Sequence, residues 1–236
     1  MQLLVSVVSE DEVAAAVSGG ADIIDVKNPA EGSLGAPPVH VVRRVREAAP
    51  AHLPVSVAIG DMPHVPGVAG LAAAGAAACG VEYVKVGLMG SRTPDAAVEL
   101  LASVCRAVRE TRPGARVMAA GYGDAARVGA LPVEHLRDVA CAAGAAGCMI
   151  DTAVKDGSTL FDAVSDDELR AFVASCRAAG LLSALAGSLL ADDIPRVAAL
   201  GADIAGVRGA ACSGDRLTGR VDEGAVRRLK ALASAG

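Results

Sequence analysis

Aromatic residues are nearly missing from this chain: its 236 residues include two Tyr, two Phe and no Trp. Single-stranded nucleic acid and sugar rings therefore have almost nothing to stack on. A basic block is missing too. The 22 Lys and Arg are outnumbered by 27 Asp and Glu, for a net charge of −5 with no positive stripe, which excludes a nucleic-acid partner. The N-terminus, MQLLVSVVSEDE, has no basic leader, and its apolar run of about seven residues is too short for a signal peptide. The longest uncharged window, Met62 to Val81, is Ala and Gly interrupted by prolines. It reads as a helix packed on a sheet rather than a membrane span, so no membrane partner and a cytoplasmic location are expected.

Cysteine pairs and metal-ligand spacings are also lacking. Cys79, Cys105, Cys141, Cys148, Cys176 and Cys212 are scattered among apolar neighbours without a CxxC, the pattern of buried free thiols. Asp61 and His64 are the nearest approach to a chelating pair, and two such residues on one loop are turn residues by default. No metal and no cofactor are expected.

Lysine is scarce as well. Only Lys27, Lys85, Lys155 and Lys230 occur, against eighteen arginines. Three of them follow or end short apolar runs, in IIDVK, YVKVG and MIDTAVK. Arginine does not lose its proton in a protein, whereas a desolvated lysine does, and only a neutral amine attacks a carbonyl.

What the chain does have is alternation. Short Val/Ile/Leu runs alternate with Ala-rich amphipathic segments from end to end, the signature of repeated βα units around a parallel sheet. Strands are expected at 3–8, 22–27, 55–59, 82–86, 116–120, 148–152, 182–186 and 203–207. Ser9 with Glu12, and Ser165 with Glu168, have capping-box spacing, and Thr93 with Pro94 marks another helix start. Eight units without a linker predict one closed (β/α)8 barrel, the TIM fold, as a single α/β domain over residues 1–236. The even-numbered strands share an introduction (GGADIIDVK, AACGVEYVKVG, AAGCMIDTAVK, LGADIAGVRG), which suggests a barrel built from two-strand quarters.

Such barrels place their sites at the C-terminal ends of the strands. Asp25 and Lys27 lie two apart and share a face, as do Tyr83, Lys85 and Gly87, and Met149 and Asp151. Facing inward, and with Lys155 on the loop beyond, they would gather three amines and two carboxylates at one mouth. The seventh and eighth exits, Gly187-Ser188 and Gly206-Val207-Arg208-Gly209-Ala210, read as small-residue turns whose N–H groups could hold a phosphate, with Arg208 as a charged fork. Gly121 to Ala126, GYGDAA, loosely matches a dinucleotide fingerprint. It lies in the fifth unit and lacks the acidic residue about twenty positions on, so it is expected to wall the pocket instead.

Together DVKNPAEGSLGA at 25–36, YVKVGL at 83–88, MAAGYGDA at 118–125, MIDTAVKDGSTLFD at 149–162, ALAGS at 184–188 and DIAGVRGAAC at 203–212 resemble the (5-formylfuran-3-yl)methyl phosphate synthase family. It is also called the 4-(hydroxymethyl)-2-furancarboxaldehyde-phosphate synthase family. The resemblance covers essentially the whole chain in unbroken order. It implies a class I aldolase-like barrel, a carbon–oxygen lyase that joins two glyceraldehyde 3-phosphate molecules without a metal in methanofuran biosynthesis. Carried over, it makes Lys27 the Schiff-base lysine, Lys85 a proton acceptor, and Asp25, Asp151 and Lys155 supporting groups. Such lysines need lowered pKa values, from burial and from one another's charge. A different Schiff-base aldolase giving an acyclic sugar phosphate, or a phosphate-binding barrel without turnover, are the alternatives. A homo-oligomer is also expected.

Overall fold

The computed structural model describes residues 1–235. Eight strands close on themselves in chain order: β1 Gln2–Val7, β2 Ile23–Val26, β3 Val55–Asp61, β4 Tyr83–Gly87, β5 Arg116–Tyr122, β6 Gly147–Asp151, β7 Leu182–Leu185 and β8 Ile204–Val207. All neighbours are parallel, and β1 pairs with β8 through Leu4 opposite Gly206 to seal the barrel. The helices α1 Val13–Ser18, α2 Val39–Ala48, α3 Pro66–Ala77, α4 Pro94–Thr111, α5 Ala125–Val128, α6 Leu136–Ala143, α7 Leu160–Ala163, α8 Asp166–Ala178, α9 Ile194–Ala199 and α10 Glu223–Ser234 pack outside it. The expected (β/α)8 order is therefore present. Among the described residues, no helix is long and apolar enough to cross a membrane.

Strand parity divides the apolar residues into two sets. Leu3, Val5, Val7, Ile24, Val26, Val84 and Val86 point outward into the layer shared with the helices. Leu4, Ile23, Ala58, Met118, Ala120, Met149, Ala184 and Ile204 fill the barrel interior. Each fully buried Leu, Val or Ile contributes about 1.5–3 kcal/mol, so a one-residue register slip, which exchanges the sets, is strongly disfavoured. Helix α4 shows the matching logic. Thr93 Oγ1 accepts the N–H of Ala96, Pro94 takes the first helical turn, and Ala97, Leu100, Leu101, Val104 and Val108 recur on the buried face.

The quarter-barrel repeat has a geometric basis. Gly20, Gly80, Gly144 and Gly201 precede the even strands, and each has a positive φ, between 76° and 93°, that ends the preceding helix at no steric cost. Acidic residues follow three of them. Asp22 accepts the Leu3 N–H at 2.7 Å, Glu82 the Val55 N–H at 2.8 Å and Asp203 the Ser183 N–H at 2.8 Å, each tying the start of the preceding strand.

Two local expectations change. The Ser165–Glu168 capping box forms, but Ser9 caps nothing through its side chain. Glu12 is instead drawn inward by a partner remote in sequence: it receives Arg208 Nη1 at 2.6 Å and the N–H groups of Val8 and Val221. A buried ion pair outcompetes a solvent-exposed cap. The chain also forms a short antiparallel hairpin after β8 that periodicity did not indicate, β9 Cys212–Ser213 with β10 Arg220–Val221.

Candidate active site

Inward-facing positions at the C-terminal end of the barrel are polar where the rest of the interior is apolar. Ser6 on β1, Asp25 on β2, Lys85 on β4 and Asp151 on β6 are each no more than 3% exposed. A cavity of about 220 Å³ opens here, and Lys27, Lys85, Asp151, Lys155, Met149 and Arg216 are among its walls. The three lysines expected to converge do so.

Asp25 is the deepest charge. Its Oδ2 receives Lys85 Nζ and the Ser6 hydroxyl, both at 2.8 Å, while its Oδ1 is buried without a partner. Lys155, on the loop after β6, donates to Asp151 Oδ1 at 2.7 Å and to Thr152 Oγ1 at 2.9 Å. Burial alone would raise the Asp151 pKa, but the Lys155 and Lys27 ammonium groups more than offset it and hold the carboxyl down at about 2. Asp151 is thus a carboxylate at neutral pH.

Lys27 differs from both. It lies just past β2, and its Nζ has one long hydrogen bond, 3.4 Å to the Ser33 carbonyl, with no carboxylate in contact. Burial lowers its pKa to about 8; Asp151 pulls it back upward, and Lys85 pushes it down. A tenth or so of its amine is neutral at pH 7. An amine that is buried, nearly free of hydrogen bonds and partly unprotonated is equipped to add to a carbonyl.

Supporting residues that the sequence did not indicate set this geometry. Tyr122, at the end of β5, donates to Asp61 Oδ1, and Asp61 Oδ2 accepts the Leu34 N–H at 3.2 Å. That pair anchors the loop carrying Ser33 beside Lys27. Burial raises the Asp61 pKa, and its hydrogen bonds with Tyr122 and the loop work against that rise. Asp61 therefore faces the barrel, while His64 pairs with Glu99 on α4. Asp124 accepts the N–H groups of Ala153 and Val154 at 2.7 and 2.9 Å, fixing the loop that presents Lys155. The GYGDAA segment does not wall the lysine cavity as expected. Its residues 123, 124 and 126, with Arg127 just beyond, line a separate cavity of about 250 Å³, because Asp124 turns toward the β6 loop.

The β7 and β8 exits partly match expectation. Gly187, Ser188, Gly206, Gly209 and Ala210 all line the lysine cavity. Gly187 has φ +113°, and a Cβ there would lie 3.0 Å from the Thr152 methyl, so the turn requires glycine. Ser188 follows at φ 51°, the sole non-glycine residue with positive φ among the described residues. Gly206 is in β8 rather than in a turn. Arg208 is the correction. Its fork is not free for a phosphate, because Nη1 donates to Glu12 and Ser6 O, Nη2 to Glu12 and Gly219 O, and Nε to Arg216 O. All five N–H groups are engaged by protein.

Comparison with known proteins gives this arrangement a family. The profile of the 4-HFC-P synthase family matches residues 3–230. The chain belongs to the 4-HFC-P synthase family. It is an enzyme, and its relatives carry the name (5-formylfuran-3-yl)methyl phosphate synthase. The one from Methanothermobacter thermautotrophicus is 50% identical over 233 residues, covering 98% of both chains. That from Methanopyrus kandleri is 51% identical over 229 residues, covering 97% of both. Among solved structures, 3-hexulose-6-phosphate synthase from Salmonella typhimurium superposes with a TM-score of 0.68 at 19% identity, covering 100% of this chain and 99% of that one. KGPDC from Streptococcus mutans gives 0.68 at 16% identity, covering 99% and 97%. At that identity the likeness concerns the barrel alone.

Proposed function

We propose that the chain condenses two molecules of glyceraldehyde 3-phosphate through a Lys27 Schiff base into (5-formylfuran-3-yl)methyl phosphate, in the biosynthesis of a methanofuran-type cofactor. The observation that carries this reading is the environment of Lys27, buried, weakly hydrogen-bonded and held near pKa 8.

The neutral Nζ adds to the triose aldehyde carbon, and the carbinolamine loses water to give an iminium. That cation acidifies the neighbouring C–H, whose proton passes to the Lys85–Asp25 pair, leaving an enamine. The enamine carbon attacks the aldehyde of the second triose and forms the carbon–carbon bond. Asp151 and Lys155, joined at 2.7 Å, exchange protons with the hydroxyl groups that leave as the ring closes. Two trioses equal the furan product when one phosphate and two waters depart, so no oxidant or reductant is needed. The small-residue exits at Gly187, Ser188, Gly206, Gly209 and Ala210 leave space and backbone N–H groups for the phosphates.

Borohydride added with glyceraldehyde 3-phosphate should reduce the imine and leave a stable adduct on the Lys27 peptide, seen by mass spectrometry. The unreduced reaction should develop a furan absorbance. An adduct without that absorbance would point to an aldolase with an acyclic product, and reversible binding without either to a ligand-binding barrel. A cytoplasmic location fits this pathway reading. Val68 and Leu71, both exposed on α3, support a homo-oligomer, which sedimentation would detect.

A further inference from the structure

With Arg208 fully engaged, the cavity needs another cation to meet a phosphate. Arg216 lies on the connection between β9 and β10 and reaches the cavity beside the β8 exit, where a Cβ on Gly209 would be 3.8 Å from its own Cβ. Its Nη2 is buried and has no hydrogen-bond partner. Burial and the neighbouring Arg208 charge both disfavour its cation, and Asp151 provides a partial counterweight.

The backbone around it is nevertheless fixed. Arg208 holds the Arg216 carbonyl at 3.2 Å and the Gly219 carbonyl at 3.0 Å, and Arg208 is itself anchored on Glu12. Asp215 accepts the N–H groups of Leu217 and Thr218 at 2.7 and 3.0 Å. A rigid strap thus presents a guanidinium with an unused N–H face. It does so in a cavity whose lining cations Lys27, Lys85, Lys155 and Arg216 outnumber Asp151 on the wall and Asp25 behind Lys85. Leaving such a group unpaired is costly unless a ligand completes it. The missing chemistry is anionic, and a planar fork suits a phosphate.

We propose that Arg216 is the phosphate-binding residue of this cavity and that Arg208 is a positioning residue, holding the strap that carries it. This rests on the reading above that a triose phosphate occupies the cavity.

The test uses inorganic phosphate as probe, by calorimetry on the full chain, beside steady-state kinetics. Arg216→Gln should weaken phosphate binding about 10- to 100-fold and raise KM for glyceraldehyde 3-phosphate similarly, with a smaller change in kcat. Arg216→Lys should recover part of that affinity through charge alone. Borohydride trapping at Lys27 should fall far less for unphosphorylated glyceraldehyde than for glyceraldehyde 3-phosphate in Arg216→Gln. Arg208→Lys should weaken phosphate binding, and a thermal midpoint for Arg216→Gln no lower than that of the wild type separates ligand loss from unfolding. Phosphate affinity and KM equal to wild type in Arg216→Gln, or no phosphate binding by the wild type, would overturn the assignment. A wild type that binds phosphate through Arg216 but yields no imine and no furan would sustain Arg216 and end the proposed reaction instead.

Discussion

Two Asp–Lys pairs bracket strand β2. At its N-terminal end Lys230 bonds both oxygens of Asp22 at 2.7–2.8 Å, and the Leu3 N–H completes the carboxylate. At the other end Lys85 meets Asp25 at a near-identical 2.8 Å, yet one Asp25 oxygen is left empty. The first pair is about 30% exposed and the second no more than 4%. Distance alone does not distinguish them. What does is hydration and completeness: the outer pair is finished and wet, a brace for the barrel floor, while the inner pair is dry and unfinished. Dry, unfinished charge is a poor source of stability and a good source of reactivity.

The largest effect should come from making the inner end permanently charged. Lys27→Arg keeps the cation but removes the titratable amine. Turnover should fall roughly 1000-fold or more, and the borohydride adduct should vanish. Asp25→Asn leaves Lys85 buried without a counter-charge and should cost about 3–5 kcal/mol, read from denaturant midpoints. A loss comparable to an exposed pair would erase the contrast between the two ends.

The pH response sharpens it further. Below the Lys27 value of about 8, kcat/KM should drop about tenfold per pH unit as the neutral amine is depleted. Stability should move as well. The unfolded chain keeps the Lys27 proton up to about 10.5 and the folded chain releases it near 8, so between those values the unfolded state binds more protons. Folded stability from this group therefore increases with rising pH across that window, and the cost of its burial is fully present below it. Lys27→Met should abolish the increase and be the more stable protein at neutral pH, as thermal melts at several pH values would show. The smallest effect belongs to the outer pair: Lys230→Met should change stability by no more than about 1 kcal/mol and leave kcat unaltered.

The inner end was readable in the sequence because strands have period two. Once Asp25 and Lys27, Lys85, and Met149 and Asp151 are placed on β2, β4 and β6, parity alone turns them toward one space. The helix starts at Thr93 and Ser165 were readable for a similar reason, since caps are local. Glu12 was misread on the same local grounds, because its true partner Arg208 is 196 residues away and spacing carries no trace of such a pairing. Arg208 itself stands where a phosphate fork would, and only its five protein acceptors show otherwise. Arg216 had no pattern to betray it, being one of many arginines on a segment without periodicity. Ser6 did have a signal, a hydroxyl at an inward position of an apolar strand, as did Tyr122 as one of four aromatic rings.

The seam between Glu12 and Arg208 has a consequence for how the molecule is made. A ribosome adding about 5–20 residues per second exposes Glu12 roughly 10–40 s before Arg208. Through that interval the first βα unit holds an acid meant for a dry seam, and the strap bearing Arg216 is still unsynthesised. All three lysines of the cavity emerge before the latch that frames them. The nascent chain thus carries Lys27 well before the strap that completes its cup exists, so the cup closes only when the last part of the barrel has been made.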